Sequence, residues 1–133
     1  MRLYDRMILI CPARAEARLV ASRYCRRKEN FATGYRYAEA GLNLEQPKEG
    51  LSLHPWVYKY GLREEFSINA YHAGQIRACL SACFEILAQS GVPMDVLARS
   101  AALARQALTK MIDPVWGCQQ SPYSSEFIPA WQA

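Results

Sequence analysis

The 133-residue chain is 51% hydrophobic and 21% charged with a formal net charge of +4, a globular balance too weakly basic to argue for nucleic acid as a partner. It is long enough for one domain with its own core, and no apolar run is long enough to cross a bilayer. No signal-peptide pattern opens it, because Asp5 and Arg6 interrupt the first residues, and the five cysteines form no disulfide framework; a reducing, cytoplasmic setting with no membrane partner is expected.

Breakers divide the chain into about six helical segments. Residues 2–10 carry Leu3, Met7 and Ile10 on one side and stop at Pro12. A second segment, 14–28, starts near that proline, which a first helical turn tolerates. Asn30 sits where a cap is wanted before 31–42. Residues 43–55 read as a loop, with two prolines, a glycine and several polar residues. The next stretch, Trp56 to Gln75, has Tyr58, Leu62, Phe66, Ala70 and Ala73 as one stripe at spacings of four and three. Trp56, Tyr60, Ser67 and Tyr71 form another, so only Arg63, Glu64 and Glu65 remain as a narrow wet face. A helix apolar on most sides is sandwiched between neighbours. Gly74 closes or bends it before 76–87, and 94–112 is the last periodic stretch. With few β-branched residues and no strict alternation, the fold class is all-α.

The helices repeat. Placing Phe31 on Ile76 (76 − 31 = 45) sets Gly34 on Cys79, Tyr35 on Leu80, Ala38 on Cys83 and Leu42 on Leu87, with Ser22 on Ser67 and Cys25 on Ala70. Small residues recur where paired helices must approach closely. That is the mark of stacked helical hairpins, each burying its apolar face only on the next. The register resembles the tetratricopeptide repeat, whose unit is ~34 residues, with the surplus falling mostly in the 43–55 loop. A tetratricopeptide-like stack of antiparallel hairpins over residues 1–112, a fragment of a right-handed solenoid, is therefore expected.

The resemblance narrows over residues 10–90. Pro12, Arg14, Ala15 and Glu16 open one helix; Tyr60, Gly61 and Leu62 lead to Ala70, Tyr71 and Gly74 in another; Leu80, Ala82 and Cys83 mark a third. This run resembles the tetratricopeptide-like helical region associated with bacterial-type glycosyltransferases. The resemblance implies a non-catalytic interaction or substrate-positioning module, with an adjoining glycosyltransferase domain as one partner. It also implies that residues 2–10 are the second helix of an earlier repeat.

The resemblance does not bring the enzyme with it. Asp5, Asp95 and Asp113 are widely separated, and no acidic pair is placed to hold a divalent cation against a diphosphate. The seven glycines are dispersed, so no phosphate loop is present. Catalysis by this chain alone is not expected, and no cofactor is implied. Cys79 and Cys83, one turn apart, suit either two metal thiolates or two small packing residues; the repeat, with Gly34 and Ala38 in the equivalent places, favours packing, and no metal site is expected. His72 lacks a ligand or base partner at helical spacing and reads as a helix-end histidine. Glu64 and Glu65 point about 100° apart and do not form a carboxylate pair.

Arg23, Arg26, Arg27 and Lys28 fall in little more than one turn. They are either a solvated face aided by the helix C-terminal dipole or part of a binding groove. In hairpin stacks of this type the first helix of each hairpin lines the concave face. On the 45-residue register Arg23, Arg26 and Arg27 correspond to Ile68, Tyr71 and His72. A partner-binding groove of Arg23, Arg26, Arg27, Glu64, Ile68, Tyr71 and His72 is expected to suit an acidic or phosphorylated protein or peptide partner. The alternative to a glycosyltransferase-type module is accordingly a free-standing adaptor for such a partner. Residues 113–133 change character, with Pro114, Pro122 and Pro129 among Trp116, Tyr123, Phe127, Ile128 and Trp131. They read as an extended tail, either a strap across the helices or the stub of a further domain.

Overall fold

The computed structural model describes residues 3–45 and 54–112, and no strand occurs among them. The helices are α1 (Leu3–Ile10), α2 (Glu16–Arg27), α3 (Phe31–Leu42), α4 (Leu62–His72) and α5 (Ile76–Ala88), followed by α6 over 94–112. A π-helical turn, Val57–Gly61, leads into α4. The all-α expectation holds. Residues 46–53 of the expected loop and the whole expected tail, 113–133, lie outside the described residues.

The two central hairpins turn in the same way, and the 45-residue offset holds atom by atom. After α2, the Glu29 N–H donates to Arg26 O and the Asn30 N–H to Cys25 O; after α4, Gly74 donates to Tyr71 O and Gln75 to Ala70 O. Glu29 and Gly74 both take positive φ, 59° and 85°. This is the six-to-one closure that satisfies the last carbonyls of a helix and reverses the chain. Gly74 fits that conformation without strain, whereas Glu29 holds it against its own β-carbon. Asn30 and Gln75 then precede α3 and α5 with nearly the same backbone, but the Asn30 side chain makes no cap bond. The chain direction of the turn, rather than a side-chain cap, starts α3.

α2 starts at Glu16, two residues later than the sequence suggests, because its cap comes from far away. The Tyr58 hydroxyl accepts the Ala15 N–H at 3.1 Å and donates to Glu16 Oε2 at 2.7 Å. One orphan donor of the helix start is thereby satisfied, and a carboxylate sits at the positive end of the dipole. Burial first, then Glu16, pushes the Tyr58 hydroxyl pKa up.

Small residues let the hairpins meet. Gly34 lies against Asn69 and Gly41 against Leu62, so α3 runs antiparallel to α4. Cys79 and Cys83, at the positions equivalent to Gly34 and Ala38, are fully buried, as Ala38 is. One core cluster joins Leu19, Ala38, Val57, Leu62, Phe66 and Ala82 across α2 to α5. A second joins Ala70, Cys79, Leu80 and Cys83 to Ala104 and Ala107 of α6, and Ile86 closes over Val92 and Val96.

Two expectations for α4 are corrected by the structure. The Leu62 N–H bonds to Val57 O, five residues back, so the π turn inserts an extra residue and rotates everything upstream of it. Val57 is therefore buried in the core with Leu62 and Phe66, Tyr58 packs half-buried against the same cluster, and a β-carbon at Gly61 would overlap the Trp56 ring. Nor do Arg63, Glu64 and Glu65 form the expected wet face. Arg63 pairs with Glu85 of α5 at 2.7 Å, Glu64 with Arg99 of α6 at 3.0 Å, and Glu65 with Arg23 and Arg26 of α2 at 3.0 and 2.8 Å. Successive residues 100° apart each reach a different neighbouring helix.

Candidate functional site

The seam between α2 and α4 is polar at its centre. Glu65 is 3% exposed, yet Arg23 Nε, Arg26 Nε and Arg26 Nη2 donate three hydrogen bonds to its carboxylate. One turn on, Asn69 Nδ2 donates to Glu65 O and to Ser22 Oγ, both at 2.9 Å, and Ser22 Oγ donates to Gly34 O. A buried carboxylate is costly unless paired, and this network pairs it with two guanidinium groups that still reach water, while Asn69 Oδ1 is left without a partner among the described residues. Arg23 and Arg26 are thus committed to Glu65. A simple solvated face does not describe Arg26, where a glutamate in its place would set a second carboxylate against the buried one.

Toward the C-terminal end of α4 the charges are less committed. Arg27 is exposed on the last turn of α2. His72 stacks on Phe31 with centroids 4.4 Å apart, and Lys110 of α6 lies 4.3 Å from the centroid of the Tyr71 ring. The His72 pKa is lowered from its ordinary value, first by burial and then by Lys110 and Arg26, against the opposing pull of Glu29. Lys110 and Arg26 thus both disfavour the charged imidazole, and Glu29 opposes them. Because the neutral imidazole is favoured only in the fold, the unfolded chain binds the proton more tightly. Stability is then expected to fall as pH drops below about 6.5 toward the depressed value, and to be flat above it. Urea midpoints at pH 5.5 and 7.5 check this: His72→Gln should shrink the difference, and an unchanged difference would place the titration elsewhere.

Between α4 and α6 lies a cleft of about 230 Å³, walled by Glu64, Ser67 and Ile68 on one side and Arg99, Ser100, Leu103 and Gln106 on the other. The Glu64–Arg99 pair lies toward the helix starts, and Tyr71–Lys110 lies toward their ends. α4 and α6 are therefore parallel, as the Tyr58–Glu16 and Glu65–Arg26 contacts make α2 and α4.

The structure distributes the expected groove residues in three places. Arg23 and Arg26 sit on Glu65, Glu64 and Ile68 line the cleft, and Tyr71 and His72 stand with Phe31 and Lys110, while Arg27 is exposed on the last turn of α2. The contribution of α6 goes beyond the expected groove, although Arg99, Leu103, Gln106 and Lys110 recur at helical spacing and carry a legible stripe. Cys79 and Cys83 have no third ligand: among the described residues no group of three histidine, cysteine or acidic side chains could hold a metal. Their sulfurs interact with each other, and that contact together with burial holds the Cys79 thiol protonated. Among the described residues no helix is long and apolar enough to cross a membrane.

Compared with known proteins, the chain matches no protein-family model, no curated protein and no solved structure at a significant level.

Proposed function

We propose that this chain is a non-catalytic, tetratricopeptide-like interaction module in which α2, α4 and α6 present one groove to a protein or peptide partner. The observation that carries the reading is the repetition of the hairpin: the same turn, the same small buried residues and parallel first helices recur along the chain. A second spacing agrees with it. Leu62, Phe66 and Ala70 are buried on α4, and Val96, Ser100 and Ala104 are buried 34 residues later (96 − 62) on α6, the length of a tetratricopeptide unit. The longer offset from α2 to α4 then reflects the insertion between α3 and α4. In the glycosyltransferase-type version of this reading, an adjoining enzyme domain occupies the groove or receives a substrate from it.

The second reading, an adaptor for an acidic segment, is favoured by Lys110 over the Tyr71 ring and by Lys110 and Arg26 acting on His72, with Arg27 exposed on the last turn of α2. With Arg23 and Arg26 tied to Glu65, the attraction is expected to come from Arg27 and Lys110. The probe is an acetylated, amidated hexaglutamate peptide, and the measurement is its affinity at 50 and 200 mM salt. Binding should weaken as salt rises, since exposed charges are screened over ~8–10 Å at 0.1–0.15 M. The double variant Arg27→Glu/Lys110→Glu should bind at least tenfold more weakly at the lower salt. Equal binding by parent and variant would remove the acidic-partner reading.

A further inference from the structure

The cleft between α4 and α6 contains a group that its own fold does not use. Ser100 is 2% exposed, lines the cleft, and its Oγ has no hydrogen-bond partner among the described residues. A serine inside a helix ordinarily bonds the carbonyl one turn back. Here it does not, and an unpaired buried hydroxyl is costly. The other floor hydroxyl is different: Ser67 Oγ donates to Glu64 O at 2.7 Å. The walls beside Ser100 are apolar, Ile68 and Leu103, and charge is confined to the rim, where Arg99 bridges Glu64 and Asp95. At about 230 Å³ the space is below the ~300–1,000 Å³ usual for small-molecule sites. Along α4 the stretch from Glu64 to Tyr71 is only ~10 Å long at 1.5 Å per residue. One side chain fits, and a cofactor does not.

We infer that this cleft is an anchor site for one side chain of a peptide partner, a side chain with an apolar body and an uncharged hydroxyl tip that pairs with Ser100. A carboxylate tip is disfavoured by Glu64 in the lining, because Arg99, the cation beside it, is already bonded to Glu64 and Asp95, and a purely hydrocarbon side chain leaves the Ser100 hydroxyl unpaired in a now closed space. Among the natural side chains tyrosine meets these terms best, with threonine as the smaller case. This inference rests on the groove reading above and gives it a point of sequence preference along the partner.

The test uses two isosteric pairs of capped amino-acid amides, N-acetyl-tyrosinamide against N-acetyl-phenylalaninamide and N-acetyl-threoninamide against N-acetyl-valinamide. Each is titrated into the full chain and followed at the backbone amides of Ile68, Ser100 and Leu103. The hydroxyl member of each pair is expected to bind about fivefold more tightly, the worth of one net hydrogen bond. Ser100→Ala should abolish that preference without lowering the urea midpoint, since it deletes a hydroxyl that holds nothing in the free protein. Equal affinities within both pairs, absence of shifts at the cleft, or a Ser100→Ala variant less stable than the parent would each overturn the assignment. Hexaglutamate binding that persists while the amides leave the cleft undisturbed would leave the groove reading standing and remove only the anchor.

Discussion

Phe66→Ala is expected to destabilise the fold by about 3–5 kcal/mol. Phe66 is 9% exposed and lies in the cluster that joins Val57, Leu62, Ala38 and Leu19, with its ring 5.0 Å from that of Tyr35. Truncation removes the largest buried side chain of that cluster, and α3 and α4 are held together by Gly34 against Asn69 and Gly41 against Leu62. They cannot close the gap, so the cavity cost adds to the lost transfer energy. A domain with ~5–15 kcal/mol in all would lose a large share of it. Arg63→Ala on the same helix breaks a partly exposed pair with Glu85 and should cost about 1 kcal/mol or less. Urea unfolding of the two variants decides: similar midpoints would mean that α4 is rotated otherwise about its axis.

Removing both arginines from the α2–α4 seam is expected to cost about as much as losing Phe66, whereas removing their shared glutamate should cost clearly less. Arg23→Ala/Arg26→Ala strands the Glu65 carboxylate, whose side chain is 4% exposed, with no cation beside it. Breaking a buried pair in that direction costs about 3–5 kcal/mol. Glu65→Ala strands two guanidinium groups instead, but their side chains are 38% and 32% exposed and can turn to water. The ordering is the prediction, measured by chemical denaturation of the two variants at pH 7. The reverse order would mean that Glu65 reaches solvent and that the seam is only a surface pair.

The repeat is legible in the sequence because residue size carries it. Glycine, alanine, cysteine and serine at Ser22, Cys25, Gly34 and Ala38 and at their equivalents 45 residues on can be close-packing positions wherever two helices cross, and burial agrees with the reading. The bounds of α3 and α6 are legible for a related reason, since breakers flank both. The α4 register is not. A π turn leaves no mark in a 3.6-residue count, and the reason for it, Gly61 passing under the Trp56 ring, depends on a contact five residues away. The charged triplet Arg63, Glu64 and Glu65 misleads on physical grounds that hold for most helices: three adjacent charges ordinarily face water. In a helix enclosed on three sides they have no such face, and each finds its opposite on a different neighbour. The proposed groove is half legible. Ile68, Tyr71 and His72 come from the repeat register, but their counterparts on α6 need the parallel placement of α4 and α6, which spacing alone does not reveal.

The central claim is that α2, α4 and α6 share one face, positive at the end where Arg27, Tyr71, His72 and Lys110 stand. A single measurement addresses it, the amide chemical-shift map of the full chain titrated with hexaglutamate. Arg36 and Arg77 serve as internal controls, because they are exposed cations on α3 and α5, the second helices of the hairpins. The account predicts shifts gathered at Arg27, Tyr71, His72 and Lys110, with Arg36 and Arg77 unmoved. Shifts of equal size at Arg36 and Arg77 would contradict it, since the peptide would then be following net charge rather than a groove.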